Sequence, residues 1–198
     1  IELNPVTMKQ LGKPVPLIHS NQKVLGFERS GENHQYDSSS NIVVKHLQLH
    51  LAQQRKCDPR EIIDISPALE SLSEERKKMV TASLNGSPYI EGAWMSKHNG
   101  KYYLQYACNG TQYNVYVDGV YIGDSPLGNF VPMDSNPYSC FPSGFCTSAG
   151  HGSTMQDLKG KILHAITIRI SMNHDFERRI GIWPAGFDAD GELFCNQR

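Results

Sequence analysis

The sequence lacks an excess of charge of either sign. Its 198 residues include 19 Lys and Arg against 20 Asp and Glu, which gives a net charge of −1 at pH 7. A nucleic-acid-binding surface usually appears as a basic excess or stripe, so this composition argues against a nucleic-acid partner. Balanced charge together with 9% aromatic residues also argues against intrinsic disorder.

Long apolar runs are missing as well. No stretch approaches the roughly 18 consecutive apolar residues that a membrane-spanning helix needs, so we expect no membrane partner. Mean hydropathy is −0.44, while 39% of the residues are hydrophobic, which is enough to form a core. The composition therefore predicts a compact domain punctuated by 17 Gly and 11 Pro.

Paired cysteines and the common catalytic motifs are also absent. The five cysteines are an odd number without a C-x-x-C pair, which disfavours a zinc site or a disulfide framework: Cys57, Cys108, Cys140, Cys146 and Cys195. Buried free thiols are the simplest interpretation, although the spacing also allows Cys140 and Cys146 to bridge a loop. No H-E-x-x-H, G-x-S-x-G, Walker A or Rossmann motif is present, so those enzyme classes are disfavoured.

The first 86 residues combine short strands, a polar loop and helices. Residues 1–3 and 15–18 are apolar runs beside turn residues, which predicts two short strands, and residues 30–41 read as a loop. Four-residue apolar spacing over 43–51 favours a helix, although partial alternation leaves a strand open. Ser71 with Glu74 forms a capping box that predicts a helix continuing to Asn85-Gly86.

Beyond residue 86 the pattern becomes β. Asn99-Gly100, Asp118-Gly119 and Asp190-Gly191 each stand between apolar or alternating runs, which is the sequence pattern of hairpin turns. Residues 162–170 and 180–183 predict further strands. Short strands with turns every 8–12 residues or so indicate a sandwich, a barrel or a propeller.

Two local sequences are candidates for chemistry. Glu91 lies in an apolar strand among aromatic residues, and a carboxyl group in such a setting is suited to donate a proton as a general acid. Alternatively, Glu91 lies on the exposed face of an edge strand. His151 has glycine on both sides, which leaves its imidazole unobstructed to ligate a metal, bind a ligand or cap a turn.

Several motifs in succession resemble glycoside hydrolase family 43. The resemblance extends over 87–198 and over 1–28, but not over 41–86, and it rests on these segments: Glu91-Gly92 before an aromatic strand, the 99–104 hairpin, 125–130, 150–153 and 182–188. It implies an all-β fold, a five-bladed β-propeller of which this chain supplies roughly three to four blades. Residues 1–40 would then end an early blade, 41–86 form a helical insertion, and 87–198 form the later blades.

The same resemblance implies hydrolysis of arabinose- and xylose-containing polysaccharides with inversion, by two carboxyl groups. Glu91 matches the general acid, and His151 matches a histidine on the propeller axis near a bound calcium ion or water. Trp94 is expected to border the sugar site. Arg169 is a candidate substrate contact, with a packed strand arginine as the alternative.

No Asp of this chain stands in the motif of the family's general base or of its second, acid-tuning Asp. Asp118, Asp124, Asp188 and Asp190 read as turn residues. We therefore expect the general base to precede Ile1, on first blades that belong to a separate chain or segment. Two alternatives are that the chain is a fragment, inactive by itself, or that it is a divergent protein. Such enzymes are usually secreted or periplasmic.

The sequence is also compatible with two other functions. A carbohydrate-binding propeller without catalysis would keep aromatic contacts such as Trp94 but would need neither Glu91 nor a base. An interaction domain would use 41–86 as its partner surface. Sugar binding without product release would identify the first of these.

Overall fold

A computed structural model describes residues 1–21, 23–28, 42–84, 90–110, 116–140, 146, 148–170 and 177–197. The chain divides into two compact units, one formed by Ile1–Glu28 with Tyr89–Arg198 and the other by Arg29–Pro88. No helix in the described ranges is long and apolar enough to cross a membrane. The predicted loop over 30–41 and the predicted helix end at Asn85-Gly86 lie outside the described residues.

The smaller unit is helical. It contains α1 (Ile42–Arg55), α2 (Ser66–Glu70) and α3 (Glu74–Leu84). The prediction of a helix over 43–51 is confirmed, because these residues lie within α1. Leu47 and Leu51, four residues apart, pack in one buried cluster with Ala52, Ile62 and Ala68.

The predicted start of the last helix is wrong by a few residues. The Ser71 hydroxyl donates to the Ala68 carbonyl at 2.7 Å and so ends α2 instead of beginning α3. Ser73 takes the capping position, since its hydroxyl oxygen accepts the Arg76 N–H at 3.4 Å. Ser71 and Ser73 are both suited to cap a helix end. Ser71 caps the end of α2, and Ser73 therefore caps the start of α3.

The larger unit is built from antiparallel sheets. A two-stranded pair contains β1 (Glu2–Leu3) and β2 (Gln10–Leu11). The first four-stranded sheet has the strand order β3-β4-β5-β6, and the second has the strand order β7-β8-β9-β10. The strands of these sheets are β3 (Ile90–His98), β4 (Lys101–Cys108), β5 (Val117–Gly123), β6 (Val131–Pro132), β7 (Ser148–Gln156), β8 (Ile162–Arg169), β9 (Arg178–Phe187) and β10 (Leu193–Cys195). Each strand thus pairs with its neighbour in sequence, which is how propeller blades are built.

Two of the three predicted hairpins are confirmed. Asn99 and Gly100 both have positive φ, 46° and 81°, as a two-residue turn between β3 and β4 requires. Gly191, at φ 81°, turns the chain between β9 and β10. The Asp188 carboxylate there accepts the backbone N–H groups of Asp190 and Glu192 at 3.0 and 2.8 Å.

The third hairpin, at Asp118-Gly119, is wrong. Both residues lie inside β5, paired with Ala107 and Tyr106 of β4, and both are buried. A Cβ at Gly119 would lie 2.6 Å from the Tyr106 ring, so glycine is required here for close packing and not for a turn. The second N-terminal strand is also misplaced, because β2 is formed by Gln10 and Leu11 and not by residues 15–18.

A buried carboxylate anchors the segment before residue 29 to the first sheet. Glu28 is fully buried, accepts the Tyr106 hydroxyl at 2.5 Å and also accepts the Asn21 N–H. Burial and the neighbouring Glu28 carboxylate raise the pKa of Tyr106 well above its usual range, so this phenol stays protonated and donates. Desolvation likewise raises the pKa of the nearby Cys108 thiol.

Candidate active site

Glu91 lies on β3, an edge strand of the first sheet. The β3–β4 register shifts between Glu91 and Trp94, and Gly92 inside this bulge has a φ of 62°. The Glu91 side chain is 46% exposed, so the apolar enclosure predicted from its sequence neighbours is not found. The reason is topological, because an edge strand has a neighbour in its sheet on one side only. The result is an accessible carboxyl group next to a sharp backbone turn.

His151 lies on β7, the edge strand of the second sheet, and also within a bulge. The β7–β8 register shifts between Gly150 and Ser153, and His151 adopts a φ of 58°, which is unusual for a residue with a side chain. Its Nδ1 lies 3.5 Å from Glu91 Oε1. The structure thus brings together two predicted site residues from different sheets.

Gly92 makes this contact possible. A Cβ atom at Gly92 would lie 2.8 Å from Cγ and Cδ2 of the His151 ring, closer than real Cβ contacts. The imidazole therefore lies directly over the Gly92 backbone. The Glu91-Gly92 pair of the sequence motif supplies both the carboxyl group and the space for the histidine beside it.

Asp118 supports the His151 bulge from β5. The Asp118 side chain is 1% exposed, and its Oδ1 accepts the His151 N–H at 2.7 Å while Oδ2 accepts the Gly152 N–H at 2.9 Å. His164 Nε2, from β8, lies 3.3 Å from Oδ2, an ion-pair distance without hydrogen-bond alignment. The sequence pattern does not identify Asp118 as a site residue, because an Asp-Gly pair between β-forming residues predicts a turn.

A buried polar cluster holds His164 in place. The Thr154 hydroxyl donates to Gln105 Oε1 at 2.9 Å, so its oxygen accepts the Tyr138 hydroxyl at 2.9 Å. His164 Nδ1 lies 3.2 Å from the same oxygen. Burial raises the pKa of the Tyr138 phenol well above its usual range, which keeps this hydroxyl a donor. The orientation of the His164 ring toward Asp118 is therefore fixed from its far side.

Trp94 is held at one end only. Its indole Nε1–H donates to the Thr154 carbonyl at 2.8 Å across the two sheets, while the side chain remains substantially exposed. This arrangement satisfies the polar end of the indole and leaves apolar ring surface available. A role as a sugar platform stays a prediction.

Arg169 is placed differently. It is the last residue of β8, only 3% exposed, and pairs with Ser148 of β7 and Arg178 of β9. This burial is what we expect if Arg169 packs within its sheet. The substrate-contact role of Arg169 stays a prediction.

The described residues around His151 present no cluster of acidic, histidine or cysteine ligands for a calcium ion. Calcium takes roughly six to eight oxygen ligands, and both oxygens of the nearby Asp118 already accept backbone N–H groups. Within the described ranges, no three His, Cys, Asp or Glu side chains come together as metal ligands. The calcium and His151 metal assignments stay predictions, and no chemical step below depends on them.

Comparisons with known proteins show which family and fold the chain resembles. A family model described as Glycosyl hydrolases family 43 matches residues 49–193. A curated Bacteroides ovatus protein named xylosidase/arabinosidase is 30% identical over 81 residues, which cover 36% of this chain and 24% of that protein. The chain thus spans about a quarter of this relative.

Two solved structures share the fold. A thermostable family-43 glycoside hydrolase has a TM-score of 0.50 at 23% identity, over 55% of this chain and 36% of that one. An endo-1,4-beta-xylanase from Bacteroides thetaiotaomicron has a TM-score of 0.50 at 24% identity, over 56% and 38%. The predicted fold, blades of a five-bladed β-propeller with a helical segment, is confirmed.

The packing at Gly152 gives a testable expectation. A Cβ at this position would lie 2.3 Å from Cε1 of His164 and 2.8 Å from Asp118 Oδ2. We expect Gly152→Ala to lower the free energy of unfolding by about 1–3 kcal/mol through overpacking. Urea denaturation measures this change. Gly26→Ala is the matched control, because nothing lies within 4 Å of its added Cβ, and an equal loss in both variants would contradict the account.

Proposed function

Because the chain belongs to glycosyl hydrolases family 43, we propose that its protein hydrolyses O-glycosidic bonds in polysaccharides containing arabinose or xylose. The observation that carries the proposal is the exposed Glu91 carboxyl group, held at a bulge beside His151 at 3.5 Å. The name of the Bacteroides ovatus relative supports the choice of sugars. An oligo- or polysaccharide is accordingly the expected partner.

Glu91 is the proposed general acid. Its carboxyl group gives a proton to the glycosidic oxygen as the bond to the anomeric carbon breaks, which removes the need to expel an alkoxide. Exposure of Glu91 lets this group reach a substrate, while Gly92 and His151 restrict where it points. Trp94 lies three residues along the same strand, and its exposed ring surface is suited to stack on the apolar face of a sugar.

We propose an inverting reaction, in which a second carboxylate activates water on the opposite face of the sugar. The two carboxyl groups of such enzymes lie roughly 6.5–9.5 Å apart to leave room for the water. Asp118 is unsuited to be that base, because it is fully buried and both its oxygens already accept backbone N–H groups. The base is therefore assigned to none of the described residues near Glu91.

The first test uses Glu91→Gln in the intact protein with aryl arabinosides and xylosides. Loss of the proton donor should lower kcat by about 10²–10⁴ for substrates with a poor leaving group. Substrates with a very acidic phenol should lose much less, because their leaving oxygen needs little protonation. Steady-state release of the phenol across a leaving-group series measures both effects.

The control is Glu2→Gln, an exposed carboxyl group on β1, which should keep wild-type turnover. Equal loss across all leaving groups, or unchanged turnover in Glu91→Gln, would contradict the assignment. Sugar binding by the wild type without any product release would support a carbohydrate-binding propeller instead.

The second test addresses stereochemistry. Proton NMR of the first sugar released should show the anomer opposite to the one present in the substrate, before mutarotation equilibrates the two. Release of sugar with the configuration of the substrate would contradict the inverting mechanism and leave Glu91 as the acid of a retaining one.

A further inference from the structure

We propose that Asp118 is a positioning residue for this hydrolysis, holding the His151 backbone so that the imidazole lies over Gly92 and beside Glu91. The inference rests on the proposed function only for its kinetic consequence. The structural part, the placement of the His151 ring, rests on the contacts of Asp118 and on the space at Gly92. No motif of the sequence assigns this role to Asp118.

The backbone of His151 has a conformation that needs support. A φ of 58° is disfavoured for a residue with a Cβ, so the local chain does not hold this geometry by itself. The bulge points two consecutive N–H groups, those of His151 and Gly152, in one direction. Asp118 accepts both, one on each carboxylate oxygen, at 2.7 and 2.9 Å. The carboxylate is therefore the group that stabilises the left-handed backbone.

Asp118 provides this support through two acceptor oxygens. Asp118 is 1% exposed, and each of its two oxygens accepts a different backbone N–H group. His164 Nε2 at 3.3 Å faces the oxygen that binds Gly152. An amide in place of the carboxylate would offer one acceptor oxygen, and its NH₂ group would face an N–H or His164. Asp118→Asn thus keeps the size of the side chain and removes half of the support.

The support from Asp118 affects Glu91 through the His151 ring. The His151 ring fits where it does only because Gly92 has no Cβ, with ring atoms 2.8 Å from the place a Cβ would occupy. A rotation of the His151 backbone therefore moves the ring off Gly92 and away from Glu91 Oε1, now 3.5 Å from Nδ1. Glu91 would lose the neighbour that restricts its orientation.

The kinetic test is a double-mutant cycle on the intact protein with Asp118→Asn, His151→Ala and the combination. We expect Asp118→Asn to lower kcat at least about tenfold with KM nearly unchanged, and to lower it less than about twofold in the His151→Ala background. Asp124→Asn is the matched control, since Asp124 follows β5 directly, is exposed and pairs with Lys101 at 2.5 Å. It should keep wild-type kinetics. Additive losses in the cycle, or wild-type kcat in Asp118→Asn, would overturn the proposal.

A second readout does not depend on activity. In protein labelled at His and Gly, a nuclear Overhauser effect should connect the His151 ring protons with the Gly92 Hα protons. It should vanish in Asp118→Asn and persist in Asp124→Asn. Persistence of the effect in a folded Asp118→Asn variant would overturn the positioning role of Asp118. If circular dichroism shows that Asp118→Asn is unfolded, Asp118→Ser, which keeps one acceptor oxygen, replaces it in both experiments.

The two readouts separate the proposals. If the wild type binds sugar but releases no product, the proposed function fails, while loss of the Overhauser effect in Asp118→Asn still supports the positioning of His151 by Asp118. If Glu91→Gln is inactive and the Overhauser effect persists in Asp118→Asn, the positioning role fails and the proposed function stands.

Discussion

The geometry of the candidate site depends on one buried carboxylate that joins two sheets. Asp118 belongs to β5 of the first sheet, and the N–H groups it binds belong to His151 and Gly152 of β7 in the second. A buried carboxylate is costly unless its oxygens are satisfied, so these two hydrogen bonds stabilise the junction of the two sheets. Gly152 permits the approach, because any larger residue would collide with His164.

Glu91 and His151 meet where these two sheets join. Each lies at a bulge on an edge strand, one in each four-stranded sheet, and neither bulge creates the pair by itself. Edge strands of neighbouring sheets are suited to build a site, because their side chains face each other and are not covered by a further strand. The stable part of the site is the buried polar cluster, and the exposed part is the carboxyl group free to meet a substrate.

The sequence alone predicted the features that local chemistry decides. Asn99-Gly100 turns the chain because two positive φ angles are needed there. Glu91 and His151 stand out from their local sequences, and the family resemblance then gives each of them a role. Asp118-Gly119 has the same kind of dipeptide but lies inside a strand, since the packing of Gly119 against Tyr106 outweighs turn preference. Contacts such as that between Glu91 and His151 join residues far apart in the chain. Residue patterns therefore could not predict them.

The central claim is that the Glu91 carboxyl group meets the glycosidic oxygen of a bound sugar. A crystal structure of the intact Glu91→Gln variant with a xylo- or arabino-oligosaccharide tests it most directly. The account predicts that the side chain at position 91 lies within about 3.2 Å of the glycosidic oxygen. An oligosaccharide bound with that oxygen out of reach of position 91 would contradict it.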